Sequence, residues 1–496
     1  MKNKLIQGTI ILTVAGIVTR ILGFFYKIYL SNVLGAEYLG LYQLIFPIYG
    51  ICFTIYASGL QTAISQLTAG KKYRRRAILY TGIVFSLTFA LILSYFIYTN
   101  SDWIALNYLH DNRCAPLIKI ISYIFPFCGI TACINGYCLG KQKPSIPAVT
   151  QCLEQLTRIL FVWIIASLFQ ITSPYTLCLV AVYGIIAGEL ISNIYNVAAL
   201  FFTHNKRIKE NIKTFQIHKL ATHLLRLAIP ISGTRLVTAL LHSLEAVLIP
   251  IMLMKYGFSN KLALSYYGVM SGMVMPFIMF PSTITSSLSS ILLPTIASEN
   301  SNGTQKKIKT TTESSLSCSL LIGICSSAVF FTLGDNLGTL IFQNDLAGKY
   351  LMVLSILCPF MYSSITLGGV LNGLGKTHVT FINTVSGLAI RILFLIFITP
   401  KVGFFGYLVG ILVSGLFTTF MDLISVHKRI PFQVDLYRFV IIPFLSLAIT
   451  SFACFYIFEH WLNLPVSLLS ISLKMGLLLV TFLFVIKQSE LFKKRF

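Results

Sequence analysis

Charged residues are scarce in this chain of 496 residues, because Asp, Glu, Lys and Arg make up only 11% of it. A soluble protein carries about 25%. Acids are the scarcest, with 15 Asp and Glu against 38 Lys and Arg, and 56% of the residues are hydrophobic. This composition excludes a cytosolic enzyme, a secreted disulfide-bonded scaffold and a disordered protein. It indicates a chain solvated by lipid.

Long apolar runs fill most of the sequence, and a helix needs about 20 such residues to cross a bilayer. The runs are too continuous for the alternating strands of a membrane barrel. The predicted fold class is therefore an all-α polytopic membrane protein with 14 transmembrane helices. The predicted spans cover approximately residues 5–30, 38–69, 77–99, 115–139, 145–170, 174–203, 221–254, 262–297, 312–333, 350–374, 378–399, 403–426, 436–458 and 465–487.

Basic residues are divided unevenly between the two sets of connecting segments. With the N-terminus inside, the inner segments hold 24 Lys and Arg and the outer segments hold six. Lys and Arg accumulate on the cytoplasmic side of membrane proteins, so we expect both termini in the cytoplasm. No connecting segment is long enough for a soluble domain, and any site must therefore lie between helices.

Four short sequence matches pair a span with the span six positions later, which indicates an internal repeat. The matches are Gly16–Arg20 with Ser232–Arg235, Phe46–Pro47 with Met275–Pro276, Asn135–Lys141 with Asn372–Lys376, and Arg158–Phe161 with Arg391–Phe394. Because six is even, the halves share one orientation and a pseudo-twofold axis along the membrane normal. We predict an N-lobe at 1–219 with spans 1–6, a C-lobe at 220–433 with spans 7–12, and a cleft between them. Residues 434–496 supply spans 13 and 14.

Two arginines lie near the middle of repeat-equivalent spans, where a charge costs about 2.5–3.5 kcal/mol on insertion scales. They are Arg20 in span 1 and Arg235 in span 7. Facing one cavity, they would clamp an anion, and the planar guanidinium suits phosphate because it binds two oxygens at once. The alternative is structural: each arginine bonds backbone carbonyls or a nearby acid.

Further intramembrane charges extend the candidate site. Lys27 lies seven residues after Arg20 on a similar helix face and either contacts substrate or snorkels to the surface. Glu154 and Arg158 are spaced i, i+4, and a structural ion pair is the favoured interpretation. Arg391 has no acid in its own span. With Arg20, Lys27 and Arg235, we include Arg158 and Arg391 among the candidate substrate-binding residues.

Glu189 in span 6 and Glu245 in span 7 are isolated acids within apolar runs. Together with Glu154, they are candidates for a coupling site that titrates or holds a cation. Interhelical ion pairing with an arginine is the alternative, and His242, three residues before Glu245, adds a weaker proton-relay hypothesis. No metal site and no cofactor are predicted, apart from a coupling ion that is H⁺ or Na⁺.

Two features of the sequence resemble functional motifs but do not meet their requirements. Gly369–Thr377 nearly matches a phosphate-binding loop, but it has one residue too many and no preceding strand, so no nucleotide is expected. The basic residues Lys71–Arg76 match RNA binding in composition only. Contact with the anionic inner leaflet explains them more simply, so membrane lipids and no nucleic acid are the expected partners.

Several segments resemble the polysaccharide-exporter branch of the multidrug/oligosaccharidyl-lipid/polysaccharide superfamily, and within it the sporulation proteins of endospore-forming bacteria. The segments are Thr19–Leu30, Leu34–Glu37, Gly40–Gly50, Ala57–Ser65, Pro281–Leu288 and Leu292–Pro294. The resemblance covers the whole chain. It implies a flippase of the bacterial plasma membrane that moves undecaprenyl-pyrophosphate-linked saccharide for peptidoglycan, spore cortex or another polysaccharide. It also implies a groove for the lipid tail along spans 13 and 14. The expected oligomeric state is a monomer.

The sequence departs from the related lipid II flippases at two places. Arg20 matches their first span 1 arginine, but Tyr26-Lys27 stands where they carry Arg-Asp, and the position of their span 8 arginine falls near Met270. Lys27 can partly replace the missing cation. The departures bear on lipid II itself as substrate and leave the anionic lipid-linked class in place.

Three other function classes compete with this interpretation. A multidrug/cation antiporter would share the architecture but should have an acidic cavity, whereas the midplane excess here is basic. A membrane glycosyltransferase would need a catalytic acid or base on a large outer loop, and the longest outer loop offers only Asp102 and Asp111. A purely structural protein would not need buried arginines.

Overall fold

The computed structural model describes residues 2–70, 73–202 and 217–432, together with scattered residues between 437 and 482. Every regular element in these ranges is helical and none is a strand, which confirms the predicted all-α class. The predicted spans 13 and 14, the segment 204–219 and Lys71 and Lys72 lie wholly or largely outside the described residues.

The chain forms two compact units, and the first comprises Met1–Ile251 with Ser259–Gly268. Its helices are α1 Lys2–Leu44, α2 Phe46–Phe53, α3 Gly59–Ala69, α4 Arg75–Thr99, α5 Ser101–Trp103, α6 Cys114–Ser122, α7 Phe125–Gly140, α8 Ser145–Leu168, α9 Pro174–Phe202, α10 Ile217–Tyr256 and α11 Asn260–Gly268. Two π-helical turns, Thr54–Ser58 and Ile104–Tyr108, interrupt this series.

The second unit comprises Met252–Phe258 with Val269–Phe496. It contains the last residues of α10, 252–256, followed by a π-helical turn at Val269–Val274. Its helices are α12 Met275–Met279, α13 Ser282–Ser301, α14 Gln305–Phe342, α15 Asp345–Ser355, α16 Cys358–Gly373, α17 Thr377–Phe397, α18 Thr399–Val402 and α19 Phe404–His427. The predicted boundaries at 219 and 433 stay predictions.

Among the described residues, nine helices are long and apolar enough to cross a membrane, or eleven if two bent helix pairs each count as one span. The first, Ile11–Ala69, contains both predicted spans 1 and 2, so the eleven account for twelve predicted spans. Predicted spans 13 and 14 lie largely outside the described residues, and the total of fourteen therefore stays a prediction.

Glycine and proline explain where the long helical runs bend. Gly35 interrupts α1 with φ 70° and ψ 172°, a backbone conformation that residues with a Cβ rarely adopt. It separates span 1 from span 2. Pro126 and Pro359 lie in the first turn of α7 and α16, where a missing N–H costs nothing. Each of these helices bends away from the helix before it, by 45° and by 60° respectively.

The internal repeat is visible in α7 and α16, which have 16 residues each. Each helix packs two glycines, four residues apart, against an earlier helix of its own unit: Gly136 and Gly140 against Gln61 and Ser65, and Gly369 and Gly373 against Ser289 and Leu293. Gly136 therefore corresponds to Gly369, and Gly140 to Gly373. This register differs by four residues from the sequence match of Asn135–Lys141 with Asn372–Lys376.

Candidate substrate-transport site

Arg20 lies in the membrane-spanning part of α1, and its side chain is exposed on the surface of the first unit. Within the described part of the chain it forms no ion pair and no hydrogen bond. The structural alternative, in which Arg20 bonds a carbonyl or an acid, therefore finds no support among these residues. A guanidinium in this situation keeps all of its donors for a ligand or for water.

Arg235 lies in α10, also in the first unit, and only one of its nitrogens is engaged among the described residues. Its Nη1 donates to the backbone oxygen of Ser58 at 2.9 Å and to the Ser58 hydroxyl at 2.6 Å. Ser58 ends the π-helical turn Thr54–Ser58. The carbonyl-bonding alternative thus accounts for one end of the guanidinium. The edge formed by Nε and Nη2 has no protein partner within the described ranges.

Lys27 lies on α1, two helical turns after Arg20 and before the bend at Gly35. Its side chain is half-buried and makes no ion pair with any described residue. The neighbouring Tyr26 is buried, and its hydroxyl has no hydrogen-bond partner among the described residues. The first unit therefore carries three intramembrane cations, Arg20, Lys27 and Arg235, without a described carboxylate partner. Convergence of Arg20 and Arg235 on one cavity stays a prediction.

Arg158 behaves differently, because its Nη2 donates to the carboxylate of Glu154 at 2.5 Å. Both residues lie on α8, and α9 approaches them closely at Gly184 and Gly188: a Cβ at Gly184 would lie 3.3 Å from the Arg158 backbone oxygen, and one at Gly188 would lie 2.7 Å from that of Glu154. The pair thus forms the ion pair that the i, i+4 spacing favours. The Nε of Arg158 is nevertheless buried and makes no hydrogen bond to a described residue.

Glu189 of α9 is 5% exposed and lies close enough to Glu154 and Arg158 for their charges to act on it. Its Oε1 is buried and has no hydrogen-bond partner among the described residues. One turn later, Asn193 donates to the Thr131 hydroxyl at 2.8 Å and continues the buried polar cluster. Two carboxylates and one guanidinium leave an acid in excess, which keeps Glu189 a candidate for a proton or cation.

The internal repeat allows the same position to be compared in the second unit. Asn193 donates to the carbonyl of Phe127, the third residue of α7. In the same way, Thr419 of α19 donates to the carbonyl of Phe360, the third residue of α16. Asn193 and Thr419 are therefore equivalent, and Glu189, four residues earlier than Asn193, corresponds to Gly415.

The equivalent of Arg158 in this register is Arg391, as the sequence match predicts. A Cβ on Gly184 would lie near the Arg158 carbonyl, and one on Gly410 would lie near the Arg391 carbonyl. Four residues before Arg391 stands Gly387, in the place of Glu154. Arg391 Nε donates to the Ser414 hydroxyl at 3.0 Å. The acidic cluster of the first unit thus has no counterpart at this position of the second.

Glu245 of α10 is buried, and its carboxylate lies 3.6 Å from Nδ1 of His242. The i, i+3 proximity proposed from the sequence is therefore present. His242 is largely exposed, so this histidine connects a buried acid to the surface of the helix.

The sequence interpretation missed Asp422 in α19. This acid is 2% exposed and accepts hydrogen bonds from Ser364 at 2.6 Å and from Asn383 at 2.8 Å. The signal was present, since a single acid in an otherwise apolar span needs a reason. It also missed Ser58, because one hydroxyl in an apolar helix carries no such signal.

A cluster of charges lies at one end of the first unit, around Arg113. The Arg113 guanidinium contacts Glu37 at 2.7 Å and Asp111 at 2.8 Å, Asn260 donates to Asp111, and Lys261 lies 3.8 Å from Glu37. Burial works to raise the pKa of Asp111, but hydrogen bonds from Arg113 and Asn260 outweigh it and hold this pKa below its usual value. All four charged residues belong to the predicted outer set.

A cavity of about 1190 Å³ lies in the second unit, lined by α14, α15, α16 and the described residues Phe444, Ala448, Ser451, Phe452, Lys474 and Leu478 of the predicted spans 13 and 14. Pockets for drug-sized ligands span about 300–1,000 Å³, so this cavity is large. Its walls are mainly apolar and include Phe331, Phe360, Phe444 and Phe452. A cavity of this size and character suits a long hydrocarbon chain.

Two protein-family models match the sequence. The model described as polysaccharide biosynthesis protein matches residues 5–300, and the model described as MatE matches residues 236–397. The first match covers more than half of the chain. The chain belongs to the polysaccharide biosynthesis protein family. It is a multi-pass membrane transporter of the multidrug/oligosaccharidyl-lipid/polysaccharide superfamily, which confirms the predicted resemblance.

Similar curated proteins come from Bacillus subtilis (strain 168). Stage V sporulation protein B is 26% identical over 475 residues, which cover 92% of this chain and 91% of that protein. Lipid II flippase MurJ is 26% identical over 221 residues, which cover 42% of this chain and 40% of that protein. This chain and the sporulation protein therefore match over nearly the full length of both.

Solved structures of transporters share the fold at low sequence identity. Lipid II flippase MurJ in an inward closed conformation gives a TM-score of 0.74 at 17% identity, covering 97% of this chain and 98% of that one. An inward-facing MATE multidrug resistance transporter gives 0.64 at 15% identity, covering 83% and 94%.

Proposed function

We propose that the chain is a flippase that moves undecaprenyl-pyrophosphate-linked saccharide from the inner to the outer leaflet of the bacterial plasma membrane by alternating access. The saccharide is a precursor of peptidoglycan, spore cortex or another polysaccharide. A pyrophosphate headgroup with sugars cannot cross about 30 Å of hydrocarbon unaided. It needs a polar, cationic path through the membrane, and it needs somewhere to hold its lipid tail.

The contrast among the intramembrane cations is the observation that carries the proposal. Arg158 is neutralised by Glu154, whereas Arg20, Lys27 and Arg235 have no carboxylate partner among the described residues. An unpaired charge in a membrane span is costly, so it is retained where it serves a ligand. The open edge of Arg235 and the donors of Arg20 match the chemistry of phosphate oxygens.

The cavity of the second unit supports the lipid part of the proposal. Its apolar walls at Phe331, Phe360, Phe444 and Phe452 suit the undecaprenyl tail, which would lie along spans 13 and 14. The similar proteins of Bacillus subtilis point in the same direction, since one of them is named as a lipid II flippase and another as a sporulation protein.

Glu154, Glu189 and Glu245 are our candidates for coupling, with H⁺ or Na⁺ as the ion. Glu189 has the strongest support, because its Oε1 is buried without a described partner. We further propose a monomer, and we propose that both termini lie in the cytoplasm because of the charge distribution of the sequence. The pairing of Glu37, Asp111, Arg113 and Lys261 at one end supports their common side of the membrane.

Translocation by the reconstituted protein tests the proposal. Proteoliposomes that hold a fluorescent undecaprenyl-pyrophosphate-linked saccharide should expose it to an external quencher faster than vesicles with the same lipid and no protein. We expect Arg20→Ala and Arg235→Ala to slow this transfer at least tenfold. Arg226→Ala is the matched control, since Arg226 lies on the same helix as Arg235, is also exposed, and lies outside the proposed contact. Unimpaired transfer by the double variant of Arg20 and Arg235 would contradict the role of the arginines.

A multidrug/cation antiporter is the second candidate, favoured by the buried acids Glu189 and Asp422 and by the MatE match over residues 236–397. Acids in a membrane span suit a cationic drug or a coupling cation better than an anionic lipid. The same vesicles, loaded with a fluorescent organic cation under a proton or sodium gradient, separate the two candidates. Gradient-driven cation movement without lipid transfer would favour the antiporter.

A further inference from the structure

The π-helical turn Thr54–Ser58 presents backbone oxygens to neighbouring helices. A π-helical turn replaces i→i+4 hydrogen bonds by wider ones, and such turns recur at functional sites. Ser86 of α4 donates to the Tyr56 carbonyl at 2.7 Å, and Arg235 of α10 donates to the Ser58 carbonyl at 2.9 Å. Thr62 also donates to the Ser58 carbonyl, at 3.3 Å. The turn therefore serves as an acceptor for side chains of two other helices.

Gly59 brings α10 close enough for this contact. A Cβ at Gly59 would lie 2.1 Å from the Ser232 hydroxyl and 2.5 Å from the Ala228 backbone oxygen, so no other residue fits without a shift of the helix. In the dipeptide Ser58-Gly59, the glycine thus allows α10 to approach closely and the serine places a hydroxyl beside Arg235. Ser58 itself is buried, and its hydroxyl lies 2.6 Å from Arg235 Nη1.

The geometry points to Ser58 as a positioning residue for Arg235, an inference that rests on the proposed function. Two acceptors, the Ser58 carbonyl and hydroxyl, hold Nη1 and so fix the plane of the guanidinium. The Nε–H and one N–H of Nη2 form the opposite edge and point in parallel, which is the arrangement that binds two phosphate oxygens side by side. Ser58 therefore prepares this edge for the pyrophosphate headgroup and does not itself contact the substrate.

The inference explains why an arginine can be both held by the protein and available to a ligand. A long flexible side chain loses about 1.5–2 kcal/mol of rotamer freedom when it is immobilised. Fixing Nη1 before the substrate arrives removes part of that cost from binding, which is the general advantage of preorganisation. A lysine at 235 would have no second edge to present.

Binding of undecaprenyl pyrophosphate to the purified full-length protein in lipid nanodiscs tests the inference. We expect Ser58→Ala to weaken binding about tenfold, the lower end of what the loss of one hydrogen bond to a charged group gives. Ser58→Thr keeps the hydroxyl and should restore affinity. Thr62→Val is the matched control, because it removes the other side-chain donor to the same carbonyl without touching Arg235, and it should bind as the wild type does.

A double-mutant cycle separates positioning from a general defect of the turn. If Ser58 acts through Arg235, then Ser58→Ala has no further effect on affinity once Arg235→Ala is present. Two results would overturn the inference and leave the flippase proposal standing. One is an affinity loss in the double variant equal to the product of the two single losses, and the other is wild-type affinity in Ser58→Ala alone. Wild-type binding by Arg235→Ala would instead overturn the proposed headgroup contact of Arg235, and the role of Ser58 would fail with it.

Discussion

Individual charged residues in the membrane spans fall into two groups. Arg158 lies beside Glu154 and is neutralised, while Arg20 and Lys27 have no described acid within reach. Arg235 lies between these cases, because Ser58 engages one nitrogen and leaves an edge open. The difference separates arginines that hold helices from arginines that serve a ligand. Each group responds differently to substitution.

The pair Glu154–Arg158 should act mainly on stability. Glu154→Gln removes the carboxylate that contacts Arg158 directly and leaves only Glu189 nearby, so we expect the free energy of unfolding to fall by on the order of 2 kcal/mol. The double variant Glu154→Leu/Arg158→Met removes both charges and should recover most of this loss. Thermal unfolding in detergent measures the effect. Abolished transport with unchanged stability in Glu154→Gln would instead assign Glu154 to coupling.

Among individual residues, the sequence identifies charges better than neutral polar groups. Arg20, Arg235 and Glu189 are recognisable because a charge in an apolar run is costly. Ser58 is not, since its role depends on a π-helical turn and on the approach of a helix distant in sequence. Asp422 could have been found by the same reasoning as Glu189, because its span is equally apolar.

Glycines and prolines position several helices in this protein. Gly35 divides spans 1 and 2, and α1 then crosses α11 at very short distance. A Cβ on Gly40 would lie 2.2 Å from the Leu264 backbone oxygen, and one on Gly268 would lie 2.0 Å from that of Ala36. Backbone-to-backbone packing of this kind requires glycine on both helices.

Gly40→Val should therefore disrupt the crossing of α1 and α11. Overpacking of a close contact typically costs about 1–3 kcal/mol, and here the obstructing atom belongs to backbone that cannot rotate away. We expect a clear fall in the melting temperature of the purified protein. Gly50→Ala is the matched control, since no atom lies within 4 Å of its Cβ position and a helical Gly→Ala change is neutral or stabilising. Equal melting temperatures would show that the crossing can relax.

The ion pairs around Asp111 predict that the stability of the protein depends on pH. Its pKa in the folded protein lies below the usual value, so its contribution to stability is complete above the ordinary Asp pKa of about 3.9. That contribution is lost as the pH falls through the folded pKa. We expect the difference in melting temperature between wild type and Asp111→Asn to shrink as the pH falls from 6 towards 3. A difference that is constant over this range would exclude the Asp111 carboxylate as its source.

Across the whole molecule, the sequence predicts architecture more reliably than sites. Apolar run lengths follow from bilayer thickness, which is why twelve predicted spans coincide with helices and the all-α class is confirmed. The repeat is also detectable, because Arg158 and Arg391 occupy equivalent positions. The four-residue difference in register between spans 4 and 10 could not be detected from the sequence. Small residues recur there at helical spacing, so several alignments match equally well.

The repeat also shows where the halves differ. Glu154 and Glu189 in the first unit correspond to Gly387 and Gly415 in the second, so at these two positions of the described chain only the first unit carries acids beside an arginine. Sequence matches highlight what two repeats share, whereas this difference emerges only from equivalent backbone contacts. A coupling ion that used these acids would bind in the first unit.

The charge dependence of lipid transfer tests whether Arg20 and Arg235 serve an anionic substrate. Proteoliposomes of the wild-type protein should be supplied with two fluorescent undecaprenyl lipids that carry the same saccharide, one through a pyrophosphate and one through an uncharged linker. We expect rapid transfer of the pyrophosphate lipid, slowed in Arg20→Ala and Arg235→Ala, and slow transfer of the neutral lipid by all variants. Equal transfer of both lipids by the wild type would contradict this expectation.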